Sequence, residues 1–395
     1  MADKNTIPDE VGVQRHMRFL NQHRGTLVTA VIAVAVGIAS YAVVSSDPLA
    51  QRSGRSFTID FSSVYDIDPG LIQFEQTGEI KVPLDDVRCI DVGPADKIYV
   101  AGDRSVGVYA QDGTELAVIR TEGQPGCVAV GGDEHVFPGR IYVGGDGRIE
   151  VFQPNGSRVG IWDVPEQNVI LASIAVAGND VFVADAGNRV VLRYDPSGQR
   201  VGTIGDPDDG GRTFNVPSAH FDIAIGSEGR LHVANPGALR LETYTFDGAM
   251  EVRWGEPGAT IDRFFGCCNP SEFAVLPGGA IVTSEKGIPR IKVYSEFGEF
   301  ECVVAGPSML GVAQSEIGDP RAVQAEAIFD VATDSRGRIL VLDPRRKSVR
   351  IFERSIVEKS GIGFQPVNPE MWDRLPACRL AHDRLEAYPT VWDRG

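Results

Sequence analysis

Two cysteines stand side by side in FGCCNP (Phe265–Pro270), and SEKGIPR (Ser284–Arg290) follows with a carboxylate, a lysine and an arginine. Adjacent thiols can ligate a soft metal, act as a redox pair, supply halves of two disulfides, or fill space as small apolar residues. On a strand, neighbouring side chains point to opposite faces, and a bond between them closes a small, strained ring. Two thiolates alone are too few for a closed metal site, so further ligands would have to come from elsewhere in the chain. Cys302 is a candidate disulfide partner for one of the two in an oxidising compartment. Buried packing is the reading the residues favour. The remaining chemistry in these two stretches lies in Asn269, Glu285, Lys286 and Arg290.

A second set is acidic. Asp222, Glu272 and Asp330 each head a short apolar run (DIAI, EFAV, DVAT). Equivalent positions in equivalent elements would bring the three together, and an oxygen-rich ring suits calcium. The competing reading, and the preferred one, is a set of solvated carboxylates beside turns. Histidine is scarce. His220, just ahead of one of these runs, is the best placed for chemistry, but the preferred reading of His220, His135 and His232 alike is structural or solvent-exposed. No HExxH, phosphate-cradling glycine loop or Ser-His-Asp signature is present. GDPDDGG (Gly205–Gly211) lacks the distal glutamate of a calcium loop.

What would position these residues is a repeat. An aromatic followed four residues later by glycine occurs in FEQTG (Phe74–Gly78), YAQDG (Tyr109–Gly113), FQPNG (Phe152–Gly156), YDPSG (Tyr194–Gly198), YTFDG (Tyr244–Gly248) and YSEFG (Tyr294–Gly298). The glycine suits the positive-φ position of a tight hairpin turn. Before the later copies come two more strand-like runs, which open at Cys89, Cys127, Ser173, Asp222, Glu272 and Asp330. Four short antiparallel strands at this period describe a propeller blade. The last repeat, VRIFERSIV, has no fourth strand. GEIKV (Gly78–Val82) is therefore expected to close the ring as the outer strand of the sixth blade, removing the exposed edge of an open array. A seventh blade built from Phe57–Ile67 is the less favoured alternative.

VFVADAGNRVVLRYDPSGQRVGTIG (Val181–Gly205) resembles a repeat of the NHL family: a strand ending in Asp, then Gly-Asn-Arg, a strand, and an Asp-x-x-Gly turn. HVANPGALRLETYTFDG (His232–Gly248) is a weaker copy, and the likeness extends over Leu71–Val357 as pattern. The resemblance implies an all-β, six-bladed propeller. Such propellers include protein-binding and sensor modules, some lyases and some metal-dependent hydrolases. By analogy with other propellers, FGCCNP and SEKGIPR emerge on one face. Cys267, Cys268, Asn269, Glu285, Lys286 and Arg290 are therefore expected around the channel mouth, where a protein or small ligand would bind. Arg189, Arg240 and Arg290 read as a repeat feature that holds loops together.

The 395-residue chain has 43% hydrophobic residues, 45 glycines and a net charge of -16, which suits a turn-rich globular body and argues against nucleic acid. Its six cysteines contain no CxxC pair. LVTAVIAVAVGIASYAVV (Leu27–Val44) is uncharged and long enough to span a bilayer. Arg15, Arg18 and Arg24 precede it, which favours a cytoplasmic N-terminus and an extracytoplasmic body. A cleaved signal peptide, and hence a secreted body, is the alternative.

The expected layout is a cytoplasmic segment at 1–26, a transmembrane anchor at 27–45, a linker at 46–70, the propeller at 71–357 and an appendage at 358–395. The leading functional reading is a membrane-anchored binding or sensor scaffold. The others are a metal-dependent hydrolase or lyase, and a redox or metal accessory protein using Cys267 and Cys268. Calcium and a thiolate-bound metal are the two cofactor chemistries that these residues suggest.

Overall fold

The computed structural model describes residues 62–205, 213–226, 228–316 and 328–355. The expected segments at 1–26, 27–45 and 358–395 lie outside those residues. Among the described residues no helix is long and apolar enough to cross a membrane.

Six sheets of four antiparallel strands form a β-propeller. Blade 1 runs from Val87–Gly93 at the inside to Glu115–Arg120 at the outside, and blade 2 from Cys127–Val130 to Arg158–Asp163. Blade 3 runs from Leu171–Ala177 to Arg200–Ile204, blade 4 from Ile223–Ile225 to Met250–Trp254, and blade 5 from Glu272–Val275 to Phe300–Ala305. Blade 6 takes Asp330–Thr333, Ile339–Asp343 and Ser348–Arg354 from the C-terminal side. Its outer strand is Phe74–Lys81, paired antiparallel with Ser348–Arg354. The ring thus closes as the sequence predicts, with six blades.

A single twisted sheet cannot bury both of its faces, so the core lies in the seams between blades. Ile80, Leu340, Leu342 and Val349 of blade 6 pack with Ile90, Ile98 and Tyr109 of blade 1. Cys127, Tyr142 and Val151 of blade 2 pack with Ile174, Val183 and Leu192 of blade 3.

The turn glycines show how the seams propagate. Gly113, Gly156, Gly198, Gly248 and Gly298 all have φ between 82 and 91°, the region where a side chain is strained. Each also sits against the outer strand of the preceding blade, on Ile80, Ile119, Trp162, Ile204 and Trp254 in turn. A Cβ at Gly198 would lie 2.5 Å from the Trp162 ring, and one at Gly298 would lie 2.4 Å from Trp254. The repeated glycine therefore serves both the turn and the docking of one blade on the next.

Phe74–Gly78 departs from the expected turn. It is continuous strand with an irregularity between Gln76 and Gly78, because among the described residues no segment before Phe74 pairs with it as a hairpin. The packed body also begins before residue 71. Val64 is buried, and the Tyr65 hydroxyl donates to the Val312 carbonyl at 2.8 Å.

Candidate functional site

The inner strands surround a channel of about 940 Å³. Its far end is lined by Val92, Val130, Val176, Ile225, Val275 and Thr333, one residue from each blade. The near end, where the chain enters the inner strands, carries His220, Arg88 and Arg345. Between them lie Cys89, Asp91, Ser173, Asp222, Glu272 and Asp330. Two residues beyond each repeat opening stands alanine in five blades (Ala129, Ala175, Ala224, Ala274, Ala332) and Asp91 in blade 1. Small side chains there let neighbouring blades approach near the axis.

An inner strand is an edge strand, with backbone N–H groups that no ladder satisfies. Most of the polar ring residues answer those groups from the blade before. Asp222 Oδ2 accepts from the Phe273 amide of blade 5 at 2.7 Å, while its Oδ1 accepts from the Ser173 hydroxyl of blade 3 at 2.6 Å. Asp330 Oδ2 accepts from the Ile90 amide of blade 1 at 2.8 Å, and Asp91 Oδ2 from the Val130 amide of blade 2 at 2.7 Å. Cys89 Sγ and Ser173 Oγ receive the Val128 and Ile223 amides at 3.3 Å. These residues are seam clamps. The preferred expectation of solvated, turn-proximal carboxylates is corrected for Asp222 and Asp330, since both are enclosed within the ring. Burial raises the Asp222 carboxyl to about 6 against its hydrogen bonds, and the Asp91 carboxyl to about 7. Asp330 is also raised well above the ordinary range, by burial and then by Glu272 and Asp222.

Glu272 occupies the same position in blade 5 and does something else. Its Oε1 meets His220 Nδ1 at 2.8 Å, and it makes no bond to the backbone of blade 6 among the described residues. The longer side chain reaches back to the loop entering blade 4. Burial raises the Glu272 carboxyl, reinforced by Asp222 and opposed by Lys286. Burial, followed by the Lys286 charge, lowers His220 to about 4. Both shifts favour the arrangement in which the carboxylic acid O–H donates to Nδ1. The pair then holds a single proton between its two groups. Neither the second Glu272 oxygen nor His220 Nε2 has a hydrogen-bond partner among the described residues.

Lys286 stands beside this pair. It is half-buried, its Nζ donates to the Ser218 hydroxyl at 2.9 Å, and it has no carboxylate partner among the described residues. Asn269 fixes its backbone: Oδ1 accepts the Lys286 amide at 2.8 Å, and Nδ2 donates to the Lys286 carbonyl at 3.1 Å. The two loops expected to converge are thus joined by Asn269. Cys268 is buried near Lys286, Cys267 is exposed, and their sulfurs are 3.2 Å apart as free thiols. None of the four residues Cys267, Cys268, Asn269 and Lys286 lines the channel itself; they stand next to its mouth.

Glu285 and Arg290 do not belong to the mouth. They are buried together, with Arg290 Nε donating to Glu285 Oε2, and Lys292 Nζ lies 3.0 Å from Glu285 Oε1. Arg290 and Lys292 both continue to the Arg263 carbonyl, which ties blade 5 to the loop ahead of it. Arg240, at the corresponding position of blade 4, pairs with Glu242 in the same structural way. Cys302 is buried and free, near Arg354 Nη2 at 3.7 Å, so the structure contains no disulfide from it to Cys267 or Cys268.

Among the described residues no group of three or more His, Cys, Asp and Glu side chains is arranged to hold a metal ion. Both oxygens of Asp222 and of Asp330 are already engaged: Asp222 by the Ser173 hydroxyl and the Ile223 and Phe273 amides, Asp330 by the Ile90 and Val331 amides. Cys267 and Cys268 have no further ligand beside them. The partner of His220 is not visible in the sequence, because the pairing with Glu272 joins two blades.

No protein-family model matches the chain, and no curated protein matches it. Its structure is similar to that of a streptogramin B lyase, with a TM-score of 0.50 at 14% identity, over 71% of this chain and 98% of that one. It is also similar to a catalytically inactive virginiamycin B lyase from Staphylococcus aureus with quinupristin. There the TM-score is 0.46 at 12% identity, over 71% and 99% of the two chains. The likeness is one of fold.

Proposed function

We propose that the chain is a binding scaffold whose channel mouth takes a small molecule bearing a carboxylate or similar anionic group. One observation carries this reading: Lys286 is a half-buried cation without a carboxylate partner among the described residues, set beside the neutral Glu272–His220 pair. An anionic group suits Lys286. A hydrogen-bonding group further along the ligand suits the second Glu272 oxygen and His220 Nε2, within a channel of about 940 Å³. The reading keeps the expected NHL-like character of the repeats, and the expected anchor at 27–45 with the propeller outside the cytoplasm. That topology rests on the uncharged Leu27–Val44 stretch and the arginines before it. Protein partners at the same face remain part of the proposal.

Saturation-transfer NMR with a panel of small carboxylates and their matched amides tests it. Carboxylates should bind preferentially, and Lys286→Met should weaken them roughly tenfold, about 1.4 kcal/mol. Equal binding of acids and amides, or indifference to Lys286→Met, would count against the reading. A second reading, acid–base catalysis by a lyase or hydrolase, is favoured by the single proton shared between Glu272 and His220. It requires chemical change in a bound panel member, lost in Glu272→Gln.

A further inference from the structure

The thiols of Cys267 and Cys268 are unusual in this molecule. Cys127 and Cys302 are buried and Cys89 half-buried, and among the described residues none of these three makes a hydrogen bond to another thiol. In FGCCNP the chain turns after Gly266, at φ 90°, and the two adjacent side chains fall on the same side with 3.2 Å between their sulfurs. On a regular strand they would point apart. Exposure divides their roles. Cys267 is open to solvent and Cys268 is buried behind it. Burial, then the hydrogen bond with Cys267, raises the Cys268 thiol above its ordinary value, with Lys286 and Ser218 opposing; its 3.2 Å separation from Cys267 is what places it as the resolving thiol.

The loop is also connected to the channel mouth. Asn269, the next residue, holds both the amide and the carbonyl of Lys286. A backbone change across Cys267–Cys268 is therefore passed to Lys286 through two hydrogen bonds, and Lys286 is the cation beside Glu272 and His220.

We propose that Cys267 and Cys268 form a reversible dithiol–disulfide centre, oxidised by low-molecular-weight disulfides, whose closure repositions Lys286 at the channel mouth. The Cys267 thiolate attacks one sulfur of the external disulfide. A mixed disulfide forms, the external S–S bond breaks, and one thiolate leaves with its electron pair. The Cys268 thiolate then attacks the Cys267 sulfur, forming the Cys267–Cys268 bond and expelling the second thiolate. The two cysteines lose two electrons and two protons, and the external disulfide becomes two thiols. A bond between sequence neighbours closes a strained ring, and strained, accessible disulfides are readily reduced again. The centre is thus a switch and not a permanent staple. It is independent of whether the channel binds a carboxylate.

The test uses the full chain, equilibrated with mixtures of glutathione and glutathione disulfide and then alkylated. Trypsin releases Phe264–Lys286 as one peptide containing both cysteines. In oxidising mixtures this peptide should lose two hydrogen atoms and resist alkylation, and reducing mixtures should restore it. Cys268→Ser should instead accumulate glutathione on Cys267. Acetylation of Lys286 by acetic anhydride, measured on the unmutated protein, should change several-fold between the two states. Full alkylation of both cysteines at every mixture would overturn the centre, as would oxidation that joins Cys267 to Cys378 or to another chain. A disulfide that forms while Lys286 acetylation stays constant would overturn the coupling.

Discussion

Asp222 and Glu272 hold the same place in successive blades, each at the head of an inner strand, and their side chains serve opposite ends. Asp222 is short and turns sideways, where it fastens blade 3 to blade 5 by accepting the Ser173 hydroxyl and the Phe273 amide. Glu272 is one methylene longer and turns back to His220, leaving an oxygen for whatever enters the channel. The same division separates Glu285 from Lys286, adjacent in sequence. Glu285 is sealed between Arg290 and Lys292, whereas Lys286 faces the mouth without a counter-ion among the described residues. A ring side chain here is therefore open to the channel only where it is released from clamping the next blade.

The comparison makes graded predictions. The largest effect should come from Glu285→Ala, which strands two buried cations and should cost about 4 kcal/mol in urea unfolding. A loss under about 1 kcal/mol would show that water relieves the cluster and that Glu285 is no more enclosed than Lys286. A smaller loss is expected of Asp330→Ala. It leaves the Ile90 amide without its acceptor and should cost about 2 kcal/mol; an unchanged midpoint would remove Asp330 from the clamps.

Asp91 sharpens the clamp side through pH. Its folded carboxyl stands near 7, against 3.8 as the ordinary value. Folding takes up a proton between those values, so this contribution is greatest below the ordinary value and is lost as pH rises through 7. Buried His232, lowered from 6.5 to about 4, slopes the other way. Asp91→Asn removes the contribution of Asp91 alone, so the variant should gain on the unmutated protein between about pH 4 and about pH 7. Parallel profiles would contradict it. The smallest stability effect belongs to Lys286→Met, within about 0.5 kcal/mol. A greater loss would make Lys286 part of the scaffold.

Much of this fold was legible because it is local. A tight turn needs glycine at a fixed offset from the aromatic, and the five true copies from Tyr109–Gly113 to Tyr294–Gly298 carry that requirement in their residues. Ring closure by Gly78–Val82 followed from a missing fourth strand. Phe74–Gly78 has the turn's residues without its partner strand, and only the paired structure distinguishes the two. The site was less legible because its decisive contacts cross seams. Asp222 and Glu272 look alike in DIAI and EFAV, and what separates them is which neighbouring-blade group each side chain reaches. Glu285 and Arg290 read as mouth residues because their loop is there. Lys292, on the following strand, draws Glu285 inward and completes the buried cluster.

The central claim, that Asp222 is a clamp and Glu272 is free for the channel, is tested most directly by unfolding Asp222→Ala and Glu272→Ala side by side in urea at neutral pH. The account predicts a loss of about 3 kcal/mol for Asp222→Ala, which leaves the Phe273 amide and the Ser173 hydroxyl unpaired, and a loss within about 1 kcal/mol for Glu272→Ala. Equal losses would mean that both carboxyls hold the ring together and that Glu272 is not set aside for a ligand.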